Sequence, residues 1–389
     1  MENNENNVQK RPKNRAVYGF RKNYPGSTGG SDYSIGESRK MQNRVRRNRV
    51  LFAVLLLVVF CISFVSVSTA IKLSKRPVSE KTQVDEAVVK APDTLGKMKA
   101  LYFNSDVFFS NETLENMLGR VRNAAADTVV IEFKTADGDL CYQSALPEAK
   151  NAYASENAYD NVKDFISKIK SEHIRVFALV SCFEDNKAAT VMGDAAVLTD
   201  RLELWSDETT LRAWLNPYSQ QARDYILDII TEICSLDVDG FVLTSVTFPV
   251  TSNSSLARYP EEAALTDRNS VIKDFISSAI ERAGEREVIL GVSFDAAFGS
   301  DLSGCGGNIL DSEARYFAPD LRAASQTEDV LFGDKLYTGS SFAEYDFVKT
   351  YYTSLQNQQT ENVFIPICDN AEYTLEALTD VKCETYIVE

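Results

Sequence analysis

The sequence predicts a (β/α)8 barrel, the TIM-type α/β fold. Strand-like and helix-like segments alternate through residues 97–389, and this alternation is typical of a parallel sheet whose strands are connected by helices. The strands are short apolar runs, as expected where both faces of a sheet are covered. A doubly wound open sheet is the alternative. No glycine-rich phosphate turn follows the first strand, which weakens the nucleotide-binding versions of that alternative.

Eight segments carry the strand pattern, and the eighth is the last segment of the sequence. They are Lys99–Ser105, Thr128–Lys134, Ile174–Phe183, the start of Val238–Pro249, Glu287–Asp295, Asp329–Phe332, Asn362–Asp369 and Cys383–Glu389. Because no residues follow the eighth strand to form a helix, part of residues 80–97 is expected to cover the gap.

Helices are expected between the strands, where apolar residues recur at three- and four-residue spacing. Ser110 is a suitable N-cap for the first of them. Asn216 and Pro217 predict the start of the helix before the fourth strand, since a capping side chain is followed by proline at the first turn. Gly284 is placed to end the next helix. Further helical patterns occupy residues 343–355 and 371–379.

Charge is distributed unevenly along the 389 residues. Residues 1–50 hold 12 Lys and Arg against 4 Asp and Glu, whereas the remainder holds 29 against 52. The acidic body argues against nucleic acid as a partner, because contact with phosphates needs clustered Lys and Arg. The basic head, residues 1–48, has the composition of a disordered cytoplasmic tail.

A membrane anchor accounts for the basic head. Leu51–Ile71 is a run of 21 residues without a charge, long enough to cross a hydrocarbon core of about 30 Å as a helix. Arginines are concentrated just before this run, so the N-terminus is expected in the cytoplasm and the acidic body outside the cell. A cleaved signal peptide is the alternative. The predicted organisation is a tail (1–48), a single-pass helix in the cell membrane (50–71), a linker (72–96) and an extracellular barrel (97–389).

Histidine and cysteine chemistry is largely excluded. The single histidine, His173, precedes the third strand, at the end of a barrel that contributes stability rather than catalysis. Ser-His-Asp, Cys-His and histidine-built zinc sites are therefore excluded. The seven cysteines occur singly, with no C-x-x-C spacing, so neither a metal site nor a cofactor is predicted. The sequence leaves open whether the six cysteines after the membrane run form disulfides.

Carboxyl groups collect where the predicted strands end. Glu132 lies on the second strand, Asp185 follows the third, and Asp295 and Asp369 end the fifth and the seventh. Two carboxyl groups about 5 to 9 Å apart across a pocket can hydrolyse a glycosidic bond. Asp and Glu are also common at such positions as caps and in solvated turns. The candidate catalytic residues are Asp295 and Asp369, with Glu132 assisting.

Several motifs resemble a known family, the glycoside-hydrolase-like barrels of bacterial cell-surface proteins that were formerly a domain of unknown function. KALYFNS is similar to the family's "RGIY" strand. VVIEFKTADGDLCY is similar to "VVIDVKDxxGxxxY", with Lys134 and Tyr142 in matching positions and Asp137 two residues after the position of the motif's second aspartate. LNPYSQQARDYILDI resembles "VDPYxxxVWDYxxxI" and includes Tyr218, and GVSFDAAFG resembles "VSADVFG" and includes Asp295. The resemblance covers residues 98–369 and implies a (β/α)8 hydrolase fold.

The fourth-strand motif departs from that family. The family has a form like "FDEIQFDYVRFP", whereas this chain has VDGFVLTSVTFP, Val238–Pro249. Aligned without gaps, Thr244 stands in place of the aspartate that the resemblance nominates as catalytic, Ser245 in place of tyrosine, and Thr247 in place of arginine. Threonine neither donates a proton at a useful pKa nor ionises to stabilise a sugar cation. The residues expected to contact a glycan are Lys134, Asp137, Tyr142, Asp185, Tyr218, Thr244 and Thr247.

Three functions remain open at this point. The expected partner is a polysaccharide or cell-wall glycan, which the barrel binds with weakened or lost hydrolysis, as a pseudoenzyme would. The second possibility is an active glycosidase that uses Asp295 and Asp369. The third is a non-catalytic surface or assembly scaffold, since a fold alone does not define a function.

Overall fold

A computed structural model of the chain describes residue 90 and residues 93–259, 267–299, 303–322, 329–338, 341–358, 360–369 and 372–389. The described part forms a closed parallel barrel surrounded by helices. Its strands are β1 (Met98–Phe103), β2 (Thr128–Lys134), β3 (Arg175–Ser181), β4 (Gly240–Thr244), β5 (Glu287–Ser293), β6 (Tyr316–Asp320), β9 (Val363–Phe364), β10 (Ile367–Cys368) and β11 (Thr385–Val388). A separate antiparallel hairpin consists of β7 (Val330–Phe332) and β8 (Lys335–Tyr337).

The barrel closes through its last strands. Each of β1 to β5 pairs in parallel with the next strand, and β6 pairs with both β9 and β10. The short strands β9 and β10 are separated only by Ile365 and Pro366, so together they fill the seventh position of the barrel. The eighth is β11, which pairs with β10 on one side and β1 on the other. The predicted (β/α)8 architecture is confirmed.

The helices follow the strands in the expected alternation except between β5 and β6, where the described residues contain only two short 3-10 helices. They are α1 (Asn111–Ala124), α2 (Pro147–Asn151), α3 (Val162–Ser171), α4 (Asn186–Val191), α5 (Gln220–Cys234), α6 (Arg268–Ala283), α7 (Ser341–Gln356) and α8 (Glu372–Asp380). Ser110 caps α1 as predicted, in a reciprocal arrangement in which its side chain and that of Thr113 each accept a backbone N–H. Gly284 ends α6, also as predicted.

Two apolar clusters hold the fold together. The smaller one fills the barrel interior with alternate residues of the strands, including Met98, Val130, Phe177 and Val242. The larger one lies between the outer faces of the strands and the helices, and it includes Ile131, Phe241 and Phe275. Strands buried on both faces need near-continuous apolar runs, which explains why Thr128–Lys134 and Gly240–Thr244 carry so few polar residues.

The predicted sixth strand is wrong. Residues 330–332 belong to the hairpin outside the barrel, and the sixth barrel strand is instead Tyr316–Asp320. That segment contains Pro319, and proline inside a run usually argues against a strand because it cannot donate a ladder hydrogen bond. The segment nevertheless pairs in parallel with β5 over five residues, with Pro319 in register with Val292.

The predicted start of the helix before β4 is also displaced. The helix α5 begins at Gln220, and its N-cap is Ser219, whose hydroxyl accepts from the Ala222 N–H. Asn216 accepts from the Tyr218 N–H at 3.0 Å, so Asn216 and Pro217 form a turn that precedes the helix. An Asn-Pro pair favours a turn as readily as a helix start.

The segment before β1 closes the end of the barrel opposite the carboxyl ends of the strands. Leu95 is buried with the residues of the barrel interior. The Thr94 and Leu95 N–H groups donate to the Tyr316 hydroxyl at 2.9 and 3.1 Å, and Arg175 donates to the Leu95 carbonyl. His173 lies near this end, exposed, with a left-handed φ of 60°. The part of residues 80–97 that the structure describes therefore plugs the barrel end rather than replacing a helix.

The membrane prediction concerns residues outside the described ranges. The predicted tail (1–48), membrane helix (50–71) and almost all of the linker (72–96) lie there. None of the helices in the described ranges combines the length and the hydropathy that crossing a bilayer requires.

Candidate functional site

A cavity of about 750 Å³ opens at the carboxyl ends of the barrel strands. Its floor is apolar and contains Val130, Leu179, Val242 and Ile387. Its rim is polar, and the polar residues come from the ends of six strands: Glu132, Glu184, Thr244, Ser245, Ser293, Asp320, Arg322 and Glu389. An apolar pocket with a few convergent polar groups at this end of a barrel is the expected place for a ligand.

The end of β4 contributes hydroxyl groups to the cavity. Thr244 is the last residue of the strand and pairs with Ser181 of β3. Ser245 follows in a left-handed conformation, with a φ of 52°, and its carbonyl accepts from the Phe183 N–H at 3.2 Å. The Thr244 side chain occupies the space beside Gly291 that a larger residue on β5 would fill. The position where the resemblance expects an acid therefore faces the cavity but holds threonine.

Two glutamates line the wall next to β4. Glu132 points into the cavity from β2, and Glu184 reaches it from the loop after β3. Glu184 accepts a hydrogen bond of 3.3 Å from the Ser245 hydroxyl, which brings a carboxyl group to the end of β4 from the neighbouring strand. Burial raises the pKa of both glutamates, and the positive charge of Arg212 offsets part of that rise. Their protonated forms are thus favoured relative to those of a solvated glutamate.

Arg212 stabilises this wall from behind. Its guanidinium donates to both carboxylate oxygens of Asp137, at 2.8 and 3.1 Å, and lies 3.6 Å from Glu184. The hydrogen bond from Arg212 holds the pKa of Asp137 below its usual range. Asp137, predicted to bind a glycan, is instead engaged with Arg212, and it is not among the residues that line the cavity.

The opposite wall carries an arginine between two carboxylates. Arg322 donates to both oxygens of Asp320, at 2.9 and 2.6 Å, and a further guanidinium nitrogen contacts Glu389. Such a bidentate pair fixes the guanidinium plane and leaves the arginine little freedom to bind an anion from solution. The hydrogen bonds to Asp320 raise the pKa of Arg322 further, so this wall stays charged.

Lys134 and Asp185 form a buried pair outside the cavity. Neither side chain is exposed, and Lys134 Nζ lies 2.8 Å from Asp185 Oδ2. This contact is an ion pair rather than a hydrogen bond, because Asp185 Oδ2 has no hydrogen-bond partner among the described residues. Lys134 Nζ donates its hydrogen bond to the Ser181 carbonyl, at 2.7 Å. Asp185 Oδ1 caps α4 by accepting from the Ala188 N–H. Gly138, at a φ of 92°, leaves the room that Asp185 occupies. The pair fastens the loop that carries Glu184.

The other predicted contact residues also lie away from the cavity lining. Tyr142 is buried, and its hydroxyl donates to Glu232 at 3.2 Å. Tyr218 packs on Phe248 with ring centroids 4.9 Å apart. Thr247 lies beside Gly304, in the loop after β4. Of the residues predicted to contact a glycan, the structure brings only Thr244 to the cavity.

Among the three predicted catalytic residues, Glu132 alone lines the cavity. Asp295 is exposed just beyond the end of β5. Asp369 follows β10, and burial, together with the nearby Glu344 carboxylate, raises its pKa. The structure does not bring Asp295 and Asp369 together in this cavity.

The sequence places Glu184 among the carboxylates at strand ends without nominating it for the site, and it gives no indication of Asp320, Arg322 or Glu389 as cavity residues. Glu184 follows the third strand directly, but nothing in the sequence distinguishes it from Asp185, which turns inward as a cap. Asp320 ends a strand that the proline at position 319 concealed. Recognising that strand would have nominated Asp320 as a strand-end carboxylate.

No cysteine is among the described residues that line the cavity. The six cysteines in the described ranges are free thiols. Within those ranges, no three His, Cys, Asp or Glu residues are arranged to hold a metal ion.

A closed (β/α)8 barrel with carboxyl groups around a cavity at the strand ends is an architecture that glycoside hydrolases use. The family model described as "Putative glycosyl hydrolase domain" matches residues 100–304 of this chain. The match extends from β1 to the loop after β5 and covers more than half of the chain, so the protein belongs to that family.

Three solved structures are reported for comparison with this chain. A hypothetical protein from Ruminiclostridium thermocellum is 20% identical with a TM-score of 0.44, over 49% of this chain and 96% of its own. The glycoside hydrolase domain of PelA from Pseudomonas aeruginosa is 11% identical with a TM-score of 0.41, over 75% of this chain and 95% of its own. The cycloalternan-degrading enzyme from Trueperella pyogenes is 13% identical with a TM-score of 0.47, over 79% and 45%. No curated protein sequence matches this chain.

Proposed function

We propose that this protein is a membrane-anchored, extracellular barrel that binds cell-envelope polysaccharide and hydrolyses it weakly or not at all. The main support for this proposal is the cavity at the strand ends. It presents Thr244 and Ser245 at the end of β4, where the family resemblance implies an acid at position 244. The cavity keeps the form of a ligand site while one member of the family's catalytic machinery is absent.

The shape and lining of the cavity support glycan binding. Its volume, about 750 Å³, is within the range of sites for small ligands and short oligomers. Sugar rings present apolar faces and hydroxyl edges. The apolar floor, with Val242 and Ile387, suits the faces, and the carboxylates and hydroxyls of the rim suit the edges.

Loss of the acid at β4 supports weak or absent hydrolysis. A proton donor and an ionised carboxylate must flank the glycosidic bond. Asp320 is engaged in two hydrogen bonds with Arg322, which stabilise its carboxylate and oppose its use as a nucleophile. A threonine at position 244 supplies neither role.

The proposed binding is tested by retention of the full-length protein on insoluble peptidoglycan and cell-wall polysaccharides. A matched pair of variants locates the site. Ser293→Trp places a large side chain at the cavity rim, where Ser293 is exposed, and is expected to abolish retention. Thr209→Trp, on an exposed loop outside the lining, is the control and should bind as the wild type does. Absence of wild-type retention on every polymer, or equal retention of both variants, contradicts the proposal.

Anchoring and orientation rest on the sequence. The uncharged run Leu51–Ile71 supports a single membrane crossing, and the arginines before it support a cytoplasmic N-terminus. Protease added to intact cells should digest the barrel and spare an epitope tag at the N-terminus. Protection of the barrel together with digestion of the tag would reverse the orientation.

A second candidate function is glycoside hydrolysis through relocated carboxyl groups. The observation that favours it is Glu184, which reaches the end of β4 and has a pKa raised by burial, as a general acid requires. Glu132, in the same wall, supplies a further carboxyl group from an adjacent strand. If this function holds, the wild type releases reducing ends from a bound glycan and Glu184→Gln does not.

A further inference from the structure

The cavity at the strand ends is strongly acidic. Its lining contains four carboxyl side chains, those of Glu132, Glu184, Asp320 and Glu389, and one guanidinium, that of Arg322. Arg322 contacts Asp320 and Glu389 on the same wall. The charge of the other wall, with Glu132 and Glu184, is therefore not neutralised by Arg322.

That other wall is only partly compensated by Arg212. This arginine makes its two hydrogen bonds to Asp137 and stands 3.6 Å from Glu184. Glu132 receives no hydrogen bond and no ion pair from the residues that the structure describes. Burial makes both carboxylates costly to ionise, and the pKa of Glu132 and that of Glu184 are raised as a result, although Ser245 and Arg212 offset part of the rise at Glu184.

Three kinds of glycan would interact differently with the wall that contains Glu132 and Glu184. A uronic-acid or phosphate-bearing glycan would be repelled, since Arg322 is already held by two carboxylates. A neutral glycan could donate hydroxyl hydrogen bonds but would leave the negative charge in place. A glycan with unsubstituted amino groups would bring ammonium ions, which both donate hydrogen bonds and neutralise the carboxylates.

We infer that the cavity selects glycans that carry free amino groups, with Glu132 and Glu184 as the ammonium-binding residues. This rests on the proposed glycan-binding function and names the ligand class for the same site. The apolar floor packs against the sugar rings, and the glutamate wall distinguishes an amine from its N-acetylated form. Acidity of the barrel as a whole adds attraction at a distance, because residues 97–389 hold 24 Lys and Arg against 48 Asp and Glu.

The test compares a fully de-N-acetylated chitosan oligosaccharide with the fully N-acetylated oligosaccharide of the same length. Isothermal titration with the full-length protein at about pH 6 and low salt is expected to show at least about tenfold tighter binding of the amine form, a preference that weakens at roughly 0.5 M salt through screening.

Matched variants assign the preference to the wall. Glu132→Gln and Glu184→Gln keep the size and hydrogen-bonding capacity of the side chain but remove the charge, so each should reduce the preference several-fold. Glu281→Gln, on the exposed surface of α6, is the control and should leave the preference unchanged. Thermal melting of each variant confirms that it is folded.

The outcomes separate the amine preference from glycan binding itself. Equal binding of the two oligosaccharides overturns the inference and leaves glycan binding standing. Tighter binding of an oligogalacturonate than of the chitosan oligosaccharide also overturns it. Absence of binding to all three overturns the inference, and it contradicts the proposed function as well if the polymers of the cell wall also fail to retain the protein.

Discussion

Replacing Lys134 by methionine tests whether this residue supports the fold rather than a ligand. Lys134 and Asp185 are both fully buried, 2.8 Å apart, and Lys134 also donates to the Ser181 carbonyl. Removing one partner of a buried pair leaves an uncompensated charge and costs about 3 to 5 kcal/mol. Since about 1 kcal/mol lowers the melting temperature of a domain of this size by roughly 2 to 4 °C, we expect a decrease of roughly 6 to 20 °C.

The matched control is Lys97→Met. Lys97 pairs with Glu384 at 2.6 Å, but the two side chains are 72% and 61% exposed, and such surface pairs contribute only about 0 to 1 kcal/mol. Thermal unfolding followed by circular dichroism measures both variants. The double variant Lys134→Met/Asp185→Leu should regain part of the lost stability, because no buried charge remains although the N-cap of α4 is lost. If Lys134→Met melts within a degree or two of Lys97→Met, the structural role assigned to Lys134 is wrong.

Three other variants test the site and its supports. Glu132→Gln should raise the melting temperature near pH 7, and this gain should vanish near pH 4. Glu281→Gln, on the exposed surface of α6, should leave the melting temperature unchanged at both pH values. The stabilisation is expected because the raised pKa of Glu132 makes the folded chain bind more protons than the unfolded chain. The free energy of unfolding of the wild type therefore falls as the pH rises from the unfolded-state pKa to the folded-state pKa of Glu132. Ser219→Ala should destabilise α5 by about 0.5 to 2 kcal/mol in chemical denaturation, since the N-cap is lost. Gly291→Ala should cost about 1 to 3 kcal/mol in the same measurement, because the added methyl group meets the Thr244 side chain.

The barrel was predictable because its signals are local. Apolar runs such as Thr128–Lys134 fix the strands, and the spacing of Val162, Phe165, Ile166 and Ile169 fixes a helix whose buried face consists of those residues. The prediction failed where local signals conflict with tertiary context. Pro319 concealed β6, and the Asn216-Pro217 pair resembled a helix start although it forms a turn.

The site was less predictable because the direction of a side chain depends on the whole barrel. Glu184 and Asp185 are adjacent in the sequence, yet one lines the cavity and the other is buried against Lys134. The family resemblance identified Lys134, Asp137 and Tyr142, and these prove to form the buried or ion-paired support behind the cavity. A motif records which residues matter to a family without stating whether they bind a ligand or hold the wall that does.

The central claim is that the cavity binds a glycan while the end of β4 no longer supports hydrolysis. The most direct measurement incubates the wild-type protein with the oligosaccharide that it binds most tightly and follows reducing ends and fragment masses over several days. We expect saturable binding with no fragments above those of a protein-free control. Accumulating fragments that disappear in Glu184→Gln, measured at an oligosaccharide concentration that saturates both proteins, would contradict the claim and establish a relocated acid in place of the one missing at Thr244.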